Sequence, residues 1–532
     1  MLKTPSASLF RSHKLLKRVP SSCSAHQQTT TTTTRIMTTD ASLPPSPAFP
    51  ARPTGHLQKP MLASQRAADA AAESPDADPA TKKPQGMAYF PLGYKEAVSQ
   101  WWTSVSSRQA ERDVLSFIPF LKEASTEAAQ SLHELAKADP FGQRVWRSSM
   151  VQLAGKDRAL NELSIQRVGE QADNTLVMLH GYGAGLGFFY KNFEPLTRLK
   201  GWQLYALDML GMGNSARPTF KVTTTDPKEK IKEAEAWFVD SLEEWRLTRK
   251  IDKFTLMGHS LGGYLAVSYA IKYPGHLNKL ILASPVGIPE DPWAVNDALP
   301  EPTASTMENE FTQDQESITR ATEPTAPSLP PKKSTNAPAA PPKRPLPGWL
   351  VWLWDANVSP FSIVRLAGPL GPRFVSGWTS RRFNHLPPAE KDALHSYAYS
   401  LFRQRGSGEY ALPYLLAPGA YARSPVINRI QDVGRQEGEN GFPVVFMYGE
   451  HDWMDVAGGY AAEERIKKRI EKTLVEGTEE DRRREGGGAK VLIVRRAGHH
   501  LYLDNPGEFN EMVTREMEET AEEGRRRARL GL

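Results

Sequence analysis

One pentapeptide, Gly258-His259-Ser260-Leu261-Gly262, restricts the folds open to this chain more than any other feature. It follows the apolar run Phe254-Thr255-Leu256-Met257 and precedes a stretch of small residues that starts Gly262-Gly263-Tyr264. A G-x-S-x-G turn of this kind needs a strand that stops abruptly and a helix that starts at once. The serine hydroxyl then stands on a strained corner, with the helix N-terminus aimed at it. Glycine is expected at both ends because a side chain at either would collide with the adjoining strand or helix. The motif also occurs by chance in loops, so its weight depends on what surrounds it.

The surroundings fit. Downstream, the buried-strand pattern Pro443-Val444-Val445-Phe446-Met447-Tyr448 runs into Gly449-Glu450-His451-Asp452. A second strand, Lys490-Val491-Leu492-Ile493-Val494, is followed by Ala497-Gly498-His499-His500. Upstream, Thr175-Leu176-Val177-Met178-Leu179 ends in His180-Gly181-Tyr182-Gly183, and Gln203-Leu204-Tyr205-Ala206-Leu207 ends in Asp208-Met209-Leu210-Gly211-Met212-Gly213-Asn214-Ser215. Serine, then acid, then histidine, each just past a strand, is the chain order of the α/β-hydrolase fold. The expected class is therefore α/β, a mostly parallel sheet with helices on both faces and an inserted helical lid.

The composition divides the chain. Residues 1–85 are rich in Pro, Ala, Ser and Thr and are expected to be disordered. The first 39 carry no acidic side chain but hold Lys3, Arg11, Lys14, Lys17, Arg18 and Arg35, as a mitochondrial transit peptide does. A first core part is expected over 86–298, with a helical periodicity over Ala110 to Ala136, a strand pair over Val145 to Val168 and a helix from Lys228 to Arg249. Residues 299–347 read as a disordered Pro/Thr-rich insertion, 348–440 as the lid, and 441–532 as the second core part with an amphipathic helix from Pro506. Trp349, Trp352 and Trp354 have helical spacing, and either pack the lid or anchor it at a membrane interface. The single cysteine, Cys23, allows no intrachain disulfide and argues for an intracellular compartment. No run of 18 apolar residues is present, so any membrane contact is expected to be peripheral. A net charge of +5 without a nucleic-acid-binding motif points to an anionic membrane surface rather than to nucleic acid.

The chemistry these residues support is acyl transfer through a covalent intermediate. Ser260 is the expected nucleophile and His499 the general base, with Asp452 as the acid that orients it. Asp455 stands close enough to be the alternative acid. His500 is expected to line the pocket, and the backbone N–H groups of Tyr182 and Leu261 to form the oxyanion hole. No cofactor or metal is expected: His259 and His451 lack the spacing of a zinc site.

Further segments carry a resemblance. Gly258 to Leu265, Glu235-Ala236-Trp237-Phe238, Ser241-Leu242-Glu243-Glu244-Trp245, Ser359-Pro360-Phe361 and Gly368-Pro369-Leu370-Gly371-Pro372 are similar to the lipid-active α/β hydrolases. That group contains cardiolipin-specific deacylases of fungal mitochondria, lysophosphatidic-acid acyltransferases, N-acyl-phospholipid lipases and lipase coactivators. The resemblance implies a glycerophospholipid substrate, and it implies reading His499-x-x-x-x-Asp504 as an acyltransferase motif. Some members replace the elbow serine by asparagine and act without hydrolysis, whereas this chain keeps Ser260. The leading expectation is a phospholipase-type deacylase acting on cardiolipin at the matrix side of the inner mitochondrial membrane. An acyl-CoA-dependent lysophosphatidic-acid acyltransferase is the alternative, and a non-catalytic coactivator on lipid droplets or in the cytoplasm comes after it. A soluble proline-type aminopeptidase shares the fold and the turn.

Overall fold

The apolar runs of the sequence become the strands of one sheet, nine-stranded among the described residues. In chain order they are β1 (Lys122–Glu123), β2 (Arg144–Gln152), β3 (Ala159–Arg167), β4 (Asn174–Leu179), β5 (Trp202–Leu207), β6 (Phe254–His259), β7 (Leu277–Ala283), β8 (Pro443–Gly449) and β9 (Gly488–Val494). A computed structural model is the source of the coordinates, and it describes residues 90–124, 139–290, 315–319, 354, 356–417, 420–436 and 439–530. All of these belong to the unit Lys59–Leu532. In space the strand order is β1-β2-β3-β5-β4-β6-β7-β8-β9. Strand β3 runs antiparallel to both β2 and β5, and every pairing from β5 through β9 is parallel.

The central strands alternate strictly between two cores. Val177, Leu179, Leu256, Leu280, Leu282, Val444 and Phe446 face one cluster. Leu176, Met178, Met257, Ile281, Ala283, Val445 and Met447 face the other. A period of two with both faces apolar is what a parallel sheet covered on each side requires.

Helices α1 (Tyr94–Trp102), α2 (Ser107–Leu115), α3 (Tyr190–Leu196), α4 (Pro227–Arg249) and α5 (Leu261–Lys272) precede the lid. The lid carries α6 (Pro360–Leu366), α7 (Gly371–Arg382) and α8 (Pro388–Phe402), and α9 (Val456–Glu476) and α10 (Pro506–Leu530) follow it. Ala234, Phe238, Leu242 and Trp245 of α4, together with α5 and α9, cover the first core. On the second lie α2, α3, α7, α8 and the stripe Phe509, Val513, Met517 and Ala521 of α10. The ends of α4 follow from local chemistry. Asp226 caps the N–H groups of Lys228 and Glu229, Pro227 starts the helix, and Lys250 stops it in the left-handed conformation at φ 56°.

Two expectations need correction. The helical stretch from Ala110 ends at Leu115, because Ser116 to Phe120 form a turn containing Pro119 and a left-handed Phe120 (φ 63°); 125–138 lie outside the described residues. The insertion 299–347 holds a helical turn, Gln315–Thr319, in which Gln315 is fully buried and Ile318 nearly so. That segment is packed rather than disordered, since its apolar and amide groups fill a gap beside Gly498. The rest of the insertion, the N-terminal 85 residues, Trp349 and Trp352 are outside the described residues. Trp354 is described: its ring joins the first core and its N–H donates to the Leu416 carbonyl at 3.2 Å.

The site follows from the topology. After β4 the chain moves to β5 on one side and then crosses back to β6 on the other. The loops at the carboxyl ends of β4 and β6 therefore diverge over a crevice, where α/β sheets bind ligands.

Candidate functional site

Strand β6 ends at His259, and Ser260 makes the corner at φ 52°, ψ −117° before α5 begins at Leu261. A side chain on Gly258 would put its Cβ 2.3 Å from the Gly262 carbonyl oxygen, and one on Gly262 would lie 2.6 Å from the His180 carbonyl oxygen. The two glycines thus let the strand, the helix and the β4 loop meet. The backbone of the serine is fully engaged. Its N–H donates to Ala283 O at 3.0 Å, and its carbonyl accepts from Gly263 and Tyr264 in the first turn of α5 and from Val286.

His499 lies in the turn after β9. Its Nδ1 is 3.3 Å from Asp452 Oδ1, both groups being buried. The carboxylate of Asp452, just past β8, also accepts from the Met454 N–H at 3.0 Å and the Gly449 N–H at 3.4 Å. Asp455 is elsewhere: its carboxylate caps α9 by accepting from Ala457 N at 2.9 Å. Of the two candidate acids, the structure brings only Asp452 to the histidine. Ser284, at the end of β7, was not singled out by the sequence. Its hydroxyl donates to Asp452 Oδ2 and stands 2.7 Å from His499 Nδ1.

Ser260, Leu261, Tyr182, His499 and His500 all line one cleft, with a cavity volume of about 50 Å³. Its remaining walls are largely aromatic. Phe361 of α6 stacks between Tyr182 and Phe402 of α8, with ring centroids 5.1 Å and 4.4 Å away, and Trp378 of α7 and Trp453 complete the ring wall. Gly181 passes so close to the serine that a Cβ there would lie 3.0 Å from the Ser260 Cβ. The β4 loop that carries Tyr182 therefore runs directly beside the serine, and Tyr182 and Leu261 border the same cleft.

His259 supports the histidine turn. Burial, and then the neighbouring His499, hold its pKa well below the usual imidazole range. As a neutral ring it donates from Nε2 to the His499 carbonyl at 2.9 Å. Asp504 also acts on this turn from outside the cleft lining. One of its carboxylate oxygens accepts from the Gly498 N–H at 2.9 Å, and the other lies 3.9 Å from His385. With its amide nitrogen turned towards Asp504, Gln315 donates to the same carboxylate at 2.8 Å and accepts from Arg382, which in turn contacts His500.

The D-x-x-G-x-G-x-S turn holds the loop that follows β4. Asp208 accepts from Leu186 N at 2.6 Å and Asn214 N at 2.7 Å, and Ser215 donates to its carbonyl at 2.6 Å. His180, whose pKa burial lowers, donates from Nδ1 to Gly181 O at 2.7 Å and accepts from Met209 N at 3.1 Å. Behind this lies a buried network that no sequence pattern signals. The Asn161 amide joins Asp208 at 2.8 Å to Glu111 at 3.1 Å, and the Asn214 amide and the Tyr397 hydroxyl donate to Glu111. Burial first, and the Asp208 charge second, push the Glu111 pKa up to about 8. Among the described residues no group of three or more His, Cys, Asp or Glu converges as metal ligands would.

A family model for the α/β-hydrolase fold matches residues 174–341. A probable 1-acylglycerol-3-phosphate O-acyltransferase of Oryza sativa is 30% identical over 412 residues, 76% of this chain and 79% of that protein. A 1-acylglycerol-3-phosphate O-acyltransferase of Arabidopsis thaliana is 30% identical over 76% of this chain and 78% of its own length. A (lyso)-N-acylphosphatidylethanolamine lipase of Mus musculus is 31% identical over 65% of this chain and 79% of its own length. The fold, the serine corner and these relatives together show that the chain belongs to the lipid-active branch of the α/β-hydrolase family.

Proposed function

We propose that this protein is a serine hydrolase that deacylates a membrane glycerophospholipid, with cardiolipin as the substrate. The observation that carries the chemistry is the meeting of the Ser260 corner with the His499–Asp452 pair in one aromatic cleft. In the first half-reaction Ser260 Oγ forms a bond to the ester carbonyl carbon as its proton passes to His499 Nε2. The tetrahedral oxyanion is held by the N–H groups of Tyr182 and Leu261; removing one such donor typically costs about 2.7–4 kcal/mol of transition-state stabilisation. Collapse breaks the ester C–O bond, and His499 returns the proton to the leaving lysolipid oxygen. Water, deprotonated by His499, then releases the fatty acid and frees Ser260.

A surface position is supported by the lid. Helix α6 presents Phe361 to the cleft, while its Leu366 is 87% exposed and its Ile363 59%. Helix α1, with Trp102 80% exposed, packs against the turn Gly368–Leu370 that follows α6. Among the described residues no helix is long and apolar enough to cross a membrane. Cardiolipin and a mitochondrial location rest on the acid-free, basic first 39 residues. Acyl transfer from acyl-CoA to lysophosphatidic acid is the second reading, favoured by the activity for which the plant relatives are named.

The deciding experiment incubates the purified protein with cardiolipin liposomes, and separately with lysophosphatidic acid and labelled acyl-CoA. Deacylation predicts free fatty acid and monolysocardiolipin, both abolished by Ser260→Ala. Serine-dependent label in phosphatidic acid, without fatty-acid release from cardiolipin, overturns this in favour of the acyltransferase.

A further inference from the structure

We propose that Ser284 is a positioning residue of the acyl-transfer machinery, its hydroxyl bridging the Asp452 carboxylate and the Nδ1 of His499. The inference deepens the serine-hydrolase reading and rests on it. The Ser284 hydroxyl donates to Asp452 Oδ2, so the lone pair left on Oγ accepts from the His499 Nδ1–H at 2.7 Å. The direct contact between His499 Nδ1 and Asp452 Oδ1 is longer, at 3.3 Å. This hydroxyl therefore holds the His499 Nδ1–H more closely than the carboxylate itself does. It fixes the Nδ1–H tautomer and leaves Nε2 free to take the proton of Ser260.

The end of β7 touches all three members of the site. Ala283 O accepts from the Ser260 N–H, Val286 N donates to the Ser260 carbonyl, and Ser284 N donates to Met447 O on β8, the strand that leads to Asp452. Ser284 holds a left-handed backbone (φ 48°), where glycine is the unstrained residue. It is also fully buried, where a hydroxyl is costly unless it is bonded. A serine that is both strained and buried is accounted for by what its hydroxyl holds.

Ser284→Gly removes the hydroxyl and relaxes the backbone, which separates positioning from stability. With p-nitrophenyl butyrate as the probe, Ser284→Gly and Ser284→Ala are expected to lower kcat by about 10–100-fold with KM within about twofold. The thermal midpoint of the glycine variant is expected at or above that of the parent. In an Asp452→Asn background the same substitution is expected to cost less than about threefold, because the two groups act as one unit. Labelling of Ser260 by a fluorophosphonate should slow in parallel. An unchanged kcat, a loss that follows a fall in thermal midpoint, or full additivity with Asp452→Asn overturns the inference. Retention of hydrolysis by Ser260→Ala is a separate result, which overturns the serine-hydrolase reading itself.

Discussion

Ser260 sits in a backbone conformation that costs a residue other than glycine about 1–3 kcal/mol, tolerated because the surrounding hydrogen bonds leave it no alternative. The glycines around it let the strand, the helix and the β4 loop close in on the corner. Two carboxylates three residues apart have separate tasks here. Asp452→Asn is expected to lower kcat by a factor on the order of 10³–10⁴, as loss of the orienting acid does in serine hydrolases. Asp455→Ala is expected to leave kcat nearly unchanged and to cost about 0.5–2 kcal/mol of stability, the value of a helix cap. Steady-state kinetics and urea melts on the two variants check this. Asp504 belongs with the positioning groups: its acceptor bond to the Gly498 N–H holds the histidine turn.

Among the elements, the lid decides what reaches the serine. Helices α6, α7 and α8 each contribute one aromatic ring to the cleft, so the lid is a wall of the site as well as its cover. The outer face of α6 is apolar at Ile363 and Leu366, an exposure that is costly in water. Ile363→Asp with Leu366→Asp is expected to weaken sedimentation with anionic liposomes at least tenfold, while hydrolysis of a soluble p-nitrophenyl ester stays within about twofold, since neither side chain lines the cleft. Equal losses on both substrates would place these residues in folding instead.

Across the whole molecule, the Glu111–Asn161–Asp208–Tyr397 network joins α2, the antiparallel strand β3, the turn after β5 and lid helix α8. Its titration sets a pH dependence whose sign is fixed. The folded pKa of Glu111, about 8, lies above its ordinary 4.5, so the native state holds the proton more tightly than the unfolded chain. The stability this contributes is complete below about 4.5 and is lost as pH rises towards 8. Glu111→Gln is expected to flatten the fall in thermal midpoint between pH 5 and 8, which melts across that range measure directly. The buried turn Gln315–Thr319 links the long insertion to the histidine loop in a comparable way, through Asp504 and Arg382.

The fold class and the order Ser260, Asp452, His499 were legible in the sequence because they rest on local rules. Strand periodicity, glycine at a strained corner and loops that follow strands are each written within a few consecutive residues. The preference for Asp452 over Asp455 rested only on its distance past β8, since both follow that strand, and the approach of the β9 loop is what brings one of them to the histidine. Ser284, Glu111, Asn161 and Tyr397 carried no sequence signal either. Their partners lie tens to hundreds of positions away, and a buried hydrogen bond leaves no periodicity behind. The packing of Gln315 was hidden for a related reason: a five-residue helical turn within Pro/Thr-rich chain is held by its contacts rather than by its own propensity. Local chemistry thus placed Ser260 on a strained corner with Asp452 and His499 in order after it, and tertiary packing alone decided which further groups surround the histidine.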